Sequence, residues 1–340
     1  MLNTTVKEII KTPPAFAQLT DLASSKLGGN VLYATDDFFA EKENIIRPGR
    51  GVFIADKYTE RGKWMDGWES RRKRTPGHDW IVIKLAKSGK IKGVDIDTNF
   101  FLGNHPPFAS VEAINLPDNH INNFESLSWQ EVLPRSPLDA GSQNFFEIQI
   151  NQVFTHVRLH IYPDGGVARF KVYGEVHIDP DAIAADDVRD LAAAINGGKA
   201  IACNDMFFSS MNNLVMPDRG ENMGDGWETK RNRTPGNKDW VIIKLAYTGV
   251  IEKLIIDTCH FKGNYPDSCL VEACLCMHDD DVVSDKVDWE VVLPQTKLAA
   301  DAEHIFLKDK LNELTASHIR LSIFPDGGIS RLRVFGKKFN

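Results

Sequence analysis

Residues 155–174 read THVRLHIYPDGGVARFKVYG, and residues 317–336 read SHIRLSIFPDGGISRLRVFG. Apolar and polar residues alternate before each Pro-Asp-Gly-Gly turn, which places Val157, Leu159 and Ile161 on one face of a strand. The chain therefore encodes the same strand, turn and strand twice. This pattern predicts a β-sandwich in tandem repeat.

The repetition extends over almost the whole chain. DGWESRRKRTPG at 66–77 matches DGWETKRNRTPG at 225–236, and DWIVIKLA at 79–86 matches DWVIIKLA at 239–246. Short strands with period-two alternation are separated by Gly- and Pro-containing turns, which favours antiparallel jelly rolls with loops gathered at their ends.

The repeat defines two domains, expected at 1–178 and 179–340. A short helix is predicted before each copy, over 15–27 and within 179–198, where acidic residues, alanines and Asn-Gly-Gly follow one another. The predicted fold class is all-β, with two tandem antiparallel sandwiches.

Composition excludes several classes of partner. The net charge of −7 and the pI near 5.8 argue against nucleic acid and anionic membranes. No segment approaches the roughly 20 apolar residues of a membrane helix. The 5 cysteines all follow position 200 and do not form an even framework over both copies. We therefore expect reduced thiols and a cytoplasmic protein.

Polar loops supply the first candidate site residues. Arg72 and Arg74 lie in the most charged loop, and a planar guanidinium can clamp a carboxylate through two parallel hydrogen bonds. Asp36 precedes two phenylalanines, and Asp97 follows a strand. Each candidate also has a purely structural interpretation. The aspartates could be turn or cap residues, and the arginines could belong to a basic loop paired with its own acidic residues.

A strand supplies the second group of candidates. His156, Arg158 and His160 stand two residues apart and share a strand face. Two imidazoles beside a guanidinium could bind a carboxylate and move a proton near neutral pH. The alternative is the exposed polar face of an edge strand. The arginine between the histidines argues against a metal at this motif.

Three motifs present in both copies resemble the allantoicase repeat: DGWExxRxRTPG, DTxxFxGNxP and RLxIxPDGGxxRxxVxG. The resemblance spans residues 15–340. It implies the galactose-binding-like jelly roll, also found in discoidin-type modules. It further implies hydrolysis of allantoate to ureidoglycolate and urea in purine breakdown, by a homo-oligomer such as a hexamer.

Allantoate carries one carboxylate and two ureido arms, and this chemistry suggests roles for the polar residues. Candidates to bind the carboxylate are Arg72, Arg74 and Arg158. Candidates to accept from ureido N–H groups are Asp36, Glu69, Asp97 and Asp164. We expect a His and carboxylate pair to do the acid–base chemistry, with His156 and Asp36 foremost. Glu69 and Asp97 complete the catalytic set, and His160 joins the substrate-binding set. The second-copy counterparts are Asp205, Glu228, Arg231, Arg233, Asp257, His318, Arg320 and Asp326.

No cofactor is expected, and use of a divalent metal stays an alternative. A non-catalytic tandem module that binds a sugar or a protein is the rival function, and a regulatory relative without activity is a third. If one copy alone is catalytic, we expect the first, because it holds His78, His105 and His160. It also has ten extra residues between Gly51 and Asp66, since the offset between the copies falls from 169 to 159 there.

Overall fold

The structure is a computed structural model that describes residues 12–116 and 123–339. The chain divides into two compact units, Met1–His177 and Ile178–Asn340. Regular structure in both units is almost entirely β, which confirms the predicted fold class. No helix among the described residues is long and apolar enough to cross a membrane.

The described part of unit 1 contains twelve strands and three short 3-10 helices. The strands are β1 (Thr20–Asp21), β2 (Asn30–Ala34), β3 (Tyr58–Thr59), β4 (Gly62–Lys63), β5 (Trp68–Glu69), β6 (Asp79–Asp97), β7 (Phe108–Ile114), β8 (Gln130–Pro137), β9 (Phe145–Glu147), β10 (Val153–Tyr162), β11 (Gly166–Val167) and β12 (Arg169–Val176). The 3-10 helices are Ala15–Gln18, Ser25–Leu27 and Lys42–Ile46.

Unit 2 repeats this order. Its strands are β13 (Arg189–Asp190), β14 (Lys199–Cys203), β15 (Trp227–Glu228), β16 (Asp239–Asp257), β17 (Ser268–Cys274), β18 (Glu290–Lys297), β19 (Glu303–Leu307), β20 (Thr315–Phe324), β21 (Gly328–Ile329) and β22 (Arg331–Lys338). Its helices are the 3-10 turns Pro180–Ala182, Ala194–Asn196, Met211–Val215, Met223–Asp225 and Lys308–Lys310 and the single α-turn α1 (Asp279–Val283).

Strand β6 serves both layers of the unit-1 sandwich. Its first half pairs with β2 and β10, and its second half pairs with β9 and β12. Ile81 and Ile83 from the first half and Val94 and Ile96 from the second are fully buried in one core. Strand β16 plays the same part in unit 2, where the order β13-β22-β16-β20-β17-β18 matches β1-β12-β6-β10-β7-β8.

The helices expected over 15–27 and within 179–198 are only 3-10 turns. Strand β13 pairs with β22, and the Asp190 carboxylate accepts a hydrogen bond from the backbone N–H of Val334 at 2.9 Å. These contacts outweigh the helix propensity of the neighbouring alanines. The predicted stop is present, because Gly197 ends the second turn at a φ of 99°.

The extra segment of the first copy forms the β3–β4 hairpin. Its start is fixed by Val52, whose backbone N–H donates to the Asp66 carboxylate at 2.9 Å. The ring of Phe53 stacks on Phe100 with centroids 5.5 Å apart. This hairpin is an addition at the loops and leaves the strand order of the sandwich unchanged.

Candidate functional site

Three loops of unit 1 meet at one end of the sandwich. Strand β5 pairs with β11, which places Glu69 opposite Gly166. The N–H of Gly166 donates to the Asn104 carbonyl at 2.8 Å, and the N–H of Ser70 donates to the Gly165 carbonyl at 3.1 Å. A Cβ at Gly165 would lie 2.6 Å from the Asn104 oxygen, so this turn requires glycine. Side chains from all three loops therefore border one space.

Glu69 is the acidic group of this space that contacts Asn104. Its Oε1 accepts a hydrogen bond from Asn104 Nδ2 at 2.7 Å. Burial raises the pKa of Glu69 above its ordinary value, and the hydrogen bond from Asn104 opposes this shift. A half-buried glutamate whose pKa is raised by burial is a candidate proton donor to a bound molecule.

Arg72 follows Glu69 by three residues and is the candidate basic group of this space. The loop that carries Arg72 is held by Asp164, whose Oδ2 accepts the Lys73 backbone N–H at 2.7 Å. Arg72 and Arg74 are at least partly exposed, and neither side chain has a hydrogen bond or ion pair with residues 12–116 or 123–339. Their guanidinium groups are therefore available to a carboxylate from solution.

In unit 2 the equivalent loops enclose a cavity of about 610 Å³. The Asn264 amide donates to the Glu228 carboxylate, and the Asn232 backbone N–H donates to Asp326 at 2.7 Å. Arg231 lines the cavity. We name this space the loop-end pocket. It is defined by Glu228, Arg231, Asn264 and Asp326 in unit 2 and by Glu69, Arg72, Asn104 and Asp164 in unit 1.

Asp36 organises the loops and is already occupied. Its Oδ1 accepts backbone N–H groups from Phe38 at 3.2 Å and Arg71 at 2.9 Å, and its Oδ2 pairs with the Arg71 guanidinium at 2.6 Å. Burial acts to raise the pKa of Asp36, but the hydrogen bonds from Arg71 and Phe38 together outweigh burial and lower it. Asp205 accepts the equivalent N–H groups and pairs with Lys230 at 3.6 Å.

Asp97 is engaged in the same way. Arg50 binds both of its oxygens, with Nε to Oδ2 at 2.7 Å and Nη2 to Oδ1 at 2.9 Å. Asp97 is completely buried. The pair of Asp257 and Arg219 repeats this fork at 2.9 Å for both contacts. Both aspartates therefore anchor the preceding loop to a strand end.

The structure does not bring His156 and Asp36 together. Thr35, next to Asp36, binds the backbone of Trp80, whereas His156 lies opposite Lys84 on β6. Trp80 and Lys84 are four residues apart on β6, which is about 13 Å along an extended strand. His156 is buried and contacts the Thr155 hydroxyl at 2.8 Å, and His318 contacts Asp279 at 3.3 Å.

Arg158 and His160 lie on the same face of β10 as His156. This strand lies between β6 and β7, so the interpretation as an exposed edge strand is wrong. Arg158 Nη2 binds Glu112 at 2.6 Å, and Arg320 Nε binds Glu272 at 2.9 Å in the second unit. Both arginines are thus paired within the sheet face, away from the free guanidinium groups of the loops.

Sequence reasoning missed two residues of functional interest. Asn104 and Asn264 are the asparagines of the DTxxFxGNxP motif and were not among the candidate residues, although their recurrence in both copies was a usable signal. Glu112 gave no signal beyond its place in an alternating strand. No cluster of three or more His, Cys, Asp or Glu side chains able to hold a metal ion occurs in the described part of the chain.

Comparisons with known proteins agree with the repeat. The family model "Allantoicase repeat" matches residues 20–177 and 189–339. A "Probable allantoicase" of Photobacterium profundum is 51% identical over 95% of this chain and 98% of its own length. One of Pseudomonas syringae pv. syringae is 49% identical over 95% and 97%. The crystal structure of allantoicase from Saccharomyces cerevisiae is 38% identical, covers 93% of this chain and 92% of its own, and superposes with a TM-score of 0.78.

Proposed function

The chain belongs to the allantoicase family, and from this membership we propose that it hydrolyses allantoate to ureidoglycolate and urea in purine breakdown. The observation that supports this activity best is the loop-end pocket. A glutamate with a raised pKa lies there three residues before an arginine whose guanidinium has no partner in the described chain. The same residue types recur in the pocket of unit 2.

Arg72 is proposed to bind the carboxylate of allantoate through a two-pronged contact, with Arg74 as a second cation at the rim. The Asn104 amide faces the same space and can bind a ureido oxygen. These contacts would fix the central carbon of the substrate near Glu69. Arg231, Arg233 and Asn264 are proposed for the same roles in unit 2.

Glu69 is proposed to protonate the departing urea nitrogen. The oxygen of a water molecule bonds to the central carbon, the bond from that carbon to one ureido nitrogen breaks, and the nitrogen takes the proton of Glu69. The ionised Glu69 then recovers a proton released by the attacking water. Glu228 is proposed to act in the same way in unit 2.

The proposal also covers the oligomeric state, the cellular location and the domain bounds. A homo-oligomer such as a hexamer and a cytoplasmic location are proposed from the family resemblance and from the composition. Repeats at 1–178 and 179–340 are supported by the compact units, which divide between His177 and Ile178. Light scattering of the purified full chain measures the oligomeric state.

The test of the activity is urea release from allantoate by the purified full-length protein, with and without added divalent cations. Urea release well above the uncatalysed rate is the expected result. No urea under either condition would favour the non-catalytic binding module instead.

A further inference from the structure

Unit 1 carries a hydrogen-bonded series of ionisable side chains on the sheet face that includes His160, and none of them is among the four residues that define the loop-end pocket. Glu112 Oε2 contacts His160 Nε2 at 2.7 Å. The other ring nitrogen of His160, Nδ1, contacts His78 Nε2 at 2.8 Å. Glu112 is fixed in turn by Arg158, whose Nε donates to Oε2 at 2.7 Å. A carboxylate thus orients one imidazole, and that imidazole orients a second.

His78 is the solvent-accessible end of the series Glu112, His160, His78. It is half-buried, whereas His160 is only 9% exposed. The second ring nitrogen of His78 has no hydrogen-bond partner among the residues that the structure describes. A positioned imidazole therefore presents a free nitrogen where solutes can reach it.

A free cation lies beside His78. The guanidinium of Arg135 rests on the ring of Tyr162 at 4.5 Å and on that of Phe108 at 4.8 Å. Arg135 is exposed and has no carboxylate partner in the described ranges. The His78 ring contacts the same Tyr162 ring, with centroids 4.4 Å apart. Tyr162 is itself held by a hydroxyl contact with Ser110 at 2.9 Å.

Unit 2 shows that the sandwich does not need these groups. Ser322 occupies the place of His160, since both lie opposite a tryptophan on the long strand. The positions of Tyr162, Arg135 and Ser110 are taken by Phe324, Gln295 and Leu270, and Asn237 and Lys238 stand where unit 1 has His78. The same fold without the histidine pair and the cation shows that unit 1 does not need them to form the sandwich.

The charges around His78 define what it can bind. Burial lowers the pKa of His78 and of His160. Among its charged neighbours, Asp79 raises the pKa of His78, while Lys73, Arg135 and Arg158 lower it. His78 is therefore neutral near pH 7 in the empty protein, and an anion placed between it and Arg135 would favour its protonated form.

We propose that unit 1 has a binding site, absent from unit 2, in which Arg135 and His78 hold a small organic carboxylate. Arg135 supplies the permanent charge, and His78 donates a hydrogen bond after taking up one proton. His160 and Glu112 are positioning residues that fix the His78 ring. Because binding takes up a proton, the affinity for the carboxylate rises as the pH falls from about 7.5 to about 5.5.

The test uses acylation of neutral histidine by diethyl pyrocarbonate, followed at the peptide of His78 by mass spectrometry. Acetate is the probe, and sodium chloride at equal ionic strength is the reference. At an acetate concentration of about four times Kd, the acylation rate of His78 falls about fivefold in the full-length protein. The protection is expected to grow as the pH is lowered.

Matched variants carry the residues of unit 2. Arg135→Gln should abolish the protection of His78 by acetate. His160→Ser should leave the fold intact and weaken the protection of His78 by acetate several-fold, because the His78 ring loses the contact that fixes it. His160→Asn, whose side-chain oxygen can accept the same hydrogen bond, should restore part of the protection, which a residue that only fills space would not do. Equal rates in acetate and chloride, or undiminished protection in Arg135→Gln, would overturn the proposal.

Discussion

Asn104 Nδ2 donates a hydrogen bond to Glu69 Oε1 at 2.7 Å, and Asn264 makes the same contact with Glu228. The two residues of each pair are far apart in sequence and are joined only by the folding of two loops against one another. In unit 1 this contact lowers the pKa of Glu69, against the effect of burial, and Glu69 is the group that we place at the reacting nitrogen.

Replacing Asn104 by Ala removes the hydrogen bond that lowers the pKa of Glu69. The pKa of Glu69 should then rise further, and the pH dependence of unit-1 activity should shift to higher pH with it. The measurement is the pH dependence of kcat/KM for urea release, made in a chain whose unit 2 is silenced by Glu228→Gln. An unchanged pH profile would contradict the role that we assign to Asn104.

Replacing Arg72 by Lys keeps the charge but removes the two-pronged contact. We expect KM for allantoate to rise by about tenfold in unit 1, because a hydrogen bond to a charged group is worth about 1.5–3 kcal/mol. Arg71→Lys is the matched control, since Arg71 pairs with Asp36 and unit 2 already has Lys230 at this position. A larger effect in the control than in Arg72→Lys would assign the carboxylate to a different cation.

Asp97→Asn tests whether Asp97 anchors the fold. It leaves the half-buried Arg50 guanidinium without its carboxylate, so unfolding in denaturant should show a loss of about 2 kcal/mol, the worth of a hydrogen bond to a charged group. Asp267→Asn breaks the solvent-exposed pair with Lys297 and serves as the control, with no measurable change expected. Equal stability of both variants would show that Asp97 does not anchor the loop that carries Arg50.

Asp95 should make the protein less stable as the pH rises. Burial, assisted by the charge of Asp97, raises the pKa of Asp95 to about 7. The folded protein therefore keeps a proton that the unfolded chain loses near pH 4, so stability falls between about pH 4 and about pH 7. In Asp95→Asn the Gln143 amide can rotate so that it still forms a hydrogen bond with residue 95. The variant should lack the decrease in the free energy of unfolding that Asp95 causes. If the free energy of unfolding changes equally with pH in the wild type and the variant from about pH 4 to about pH 7, Asp95 does not hold this proton.

The repeat and the faces of its strands could be predicted because both depend on residues that are near one another in sequence. Val157, Leu159 and Ile161 are fully buried, as alternation requires. The uses of Asp36 and Asp97 could not be predicted, because their partners Arg71 and Arg50 come from other loops.

The strand register, which the sequence does not reveal, decides which of the candidate residues lie near the loop end. Sequence spacing places His156 and His160 on one face, with His160 nearer the Pro-Asp-Gly-Gly turn, but it does not say which other loops gather at that end. Pairing with β6 puts His160 opposite Trp80 and His156 opposite Lys84, further from the loop end. Glu69 and Arg72, by contrast, lie in a loop whose place follows from the short pairing of β5 with β11.

The most direct measurement of the central claim is the rate of urea release from allantoate by the full-length protein carrying Glu69→Gln, Glu228→Gln or both. Glutamine keeps the size of each side chain and can still bind the neighbouring asparagine, so folding should be unaffected. The double variant is expected to lose at least about a hundredfold in kcat, because a positioned acid contributes about 10²–10⁴. The single variants will show how the two units share the activity. Undiminished turnover by a folded double variant would contradict the assignment of the reaction to the loop-end pocket.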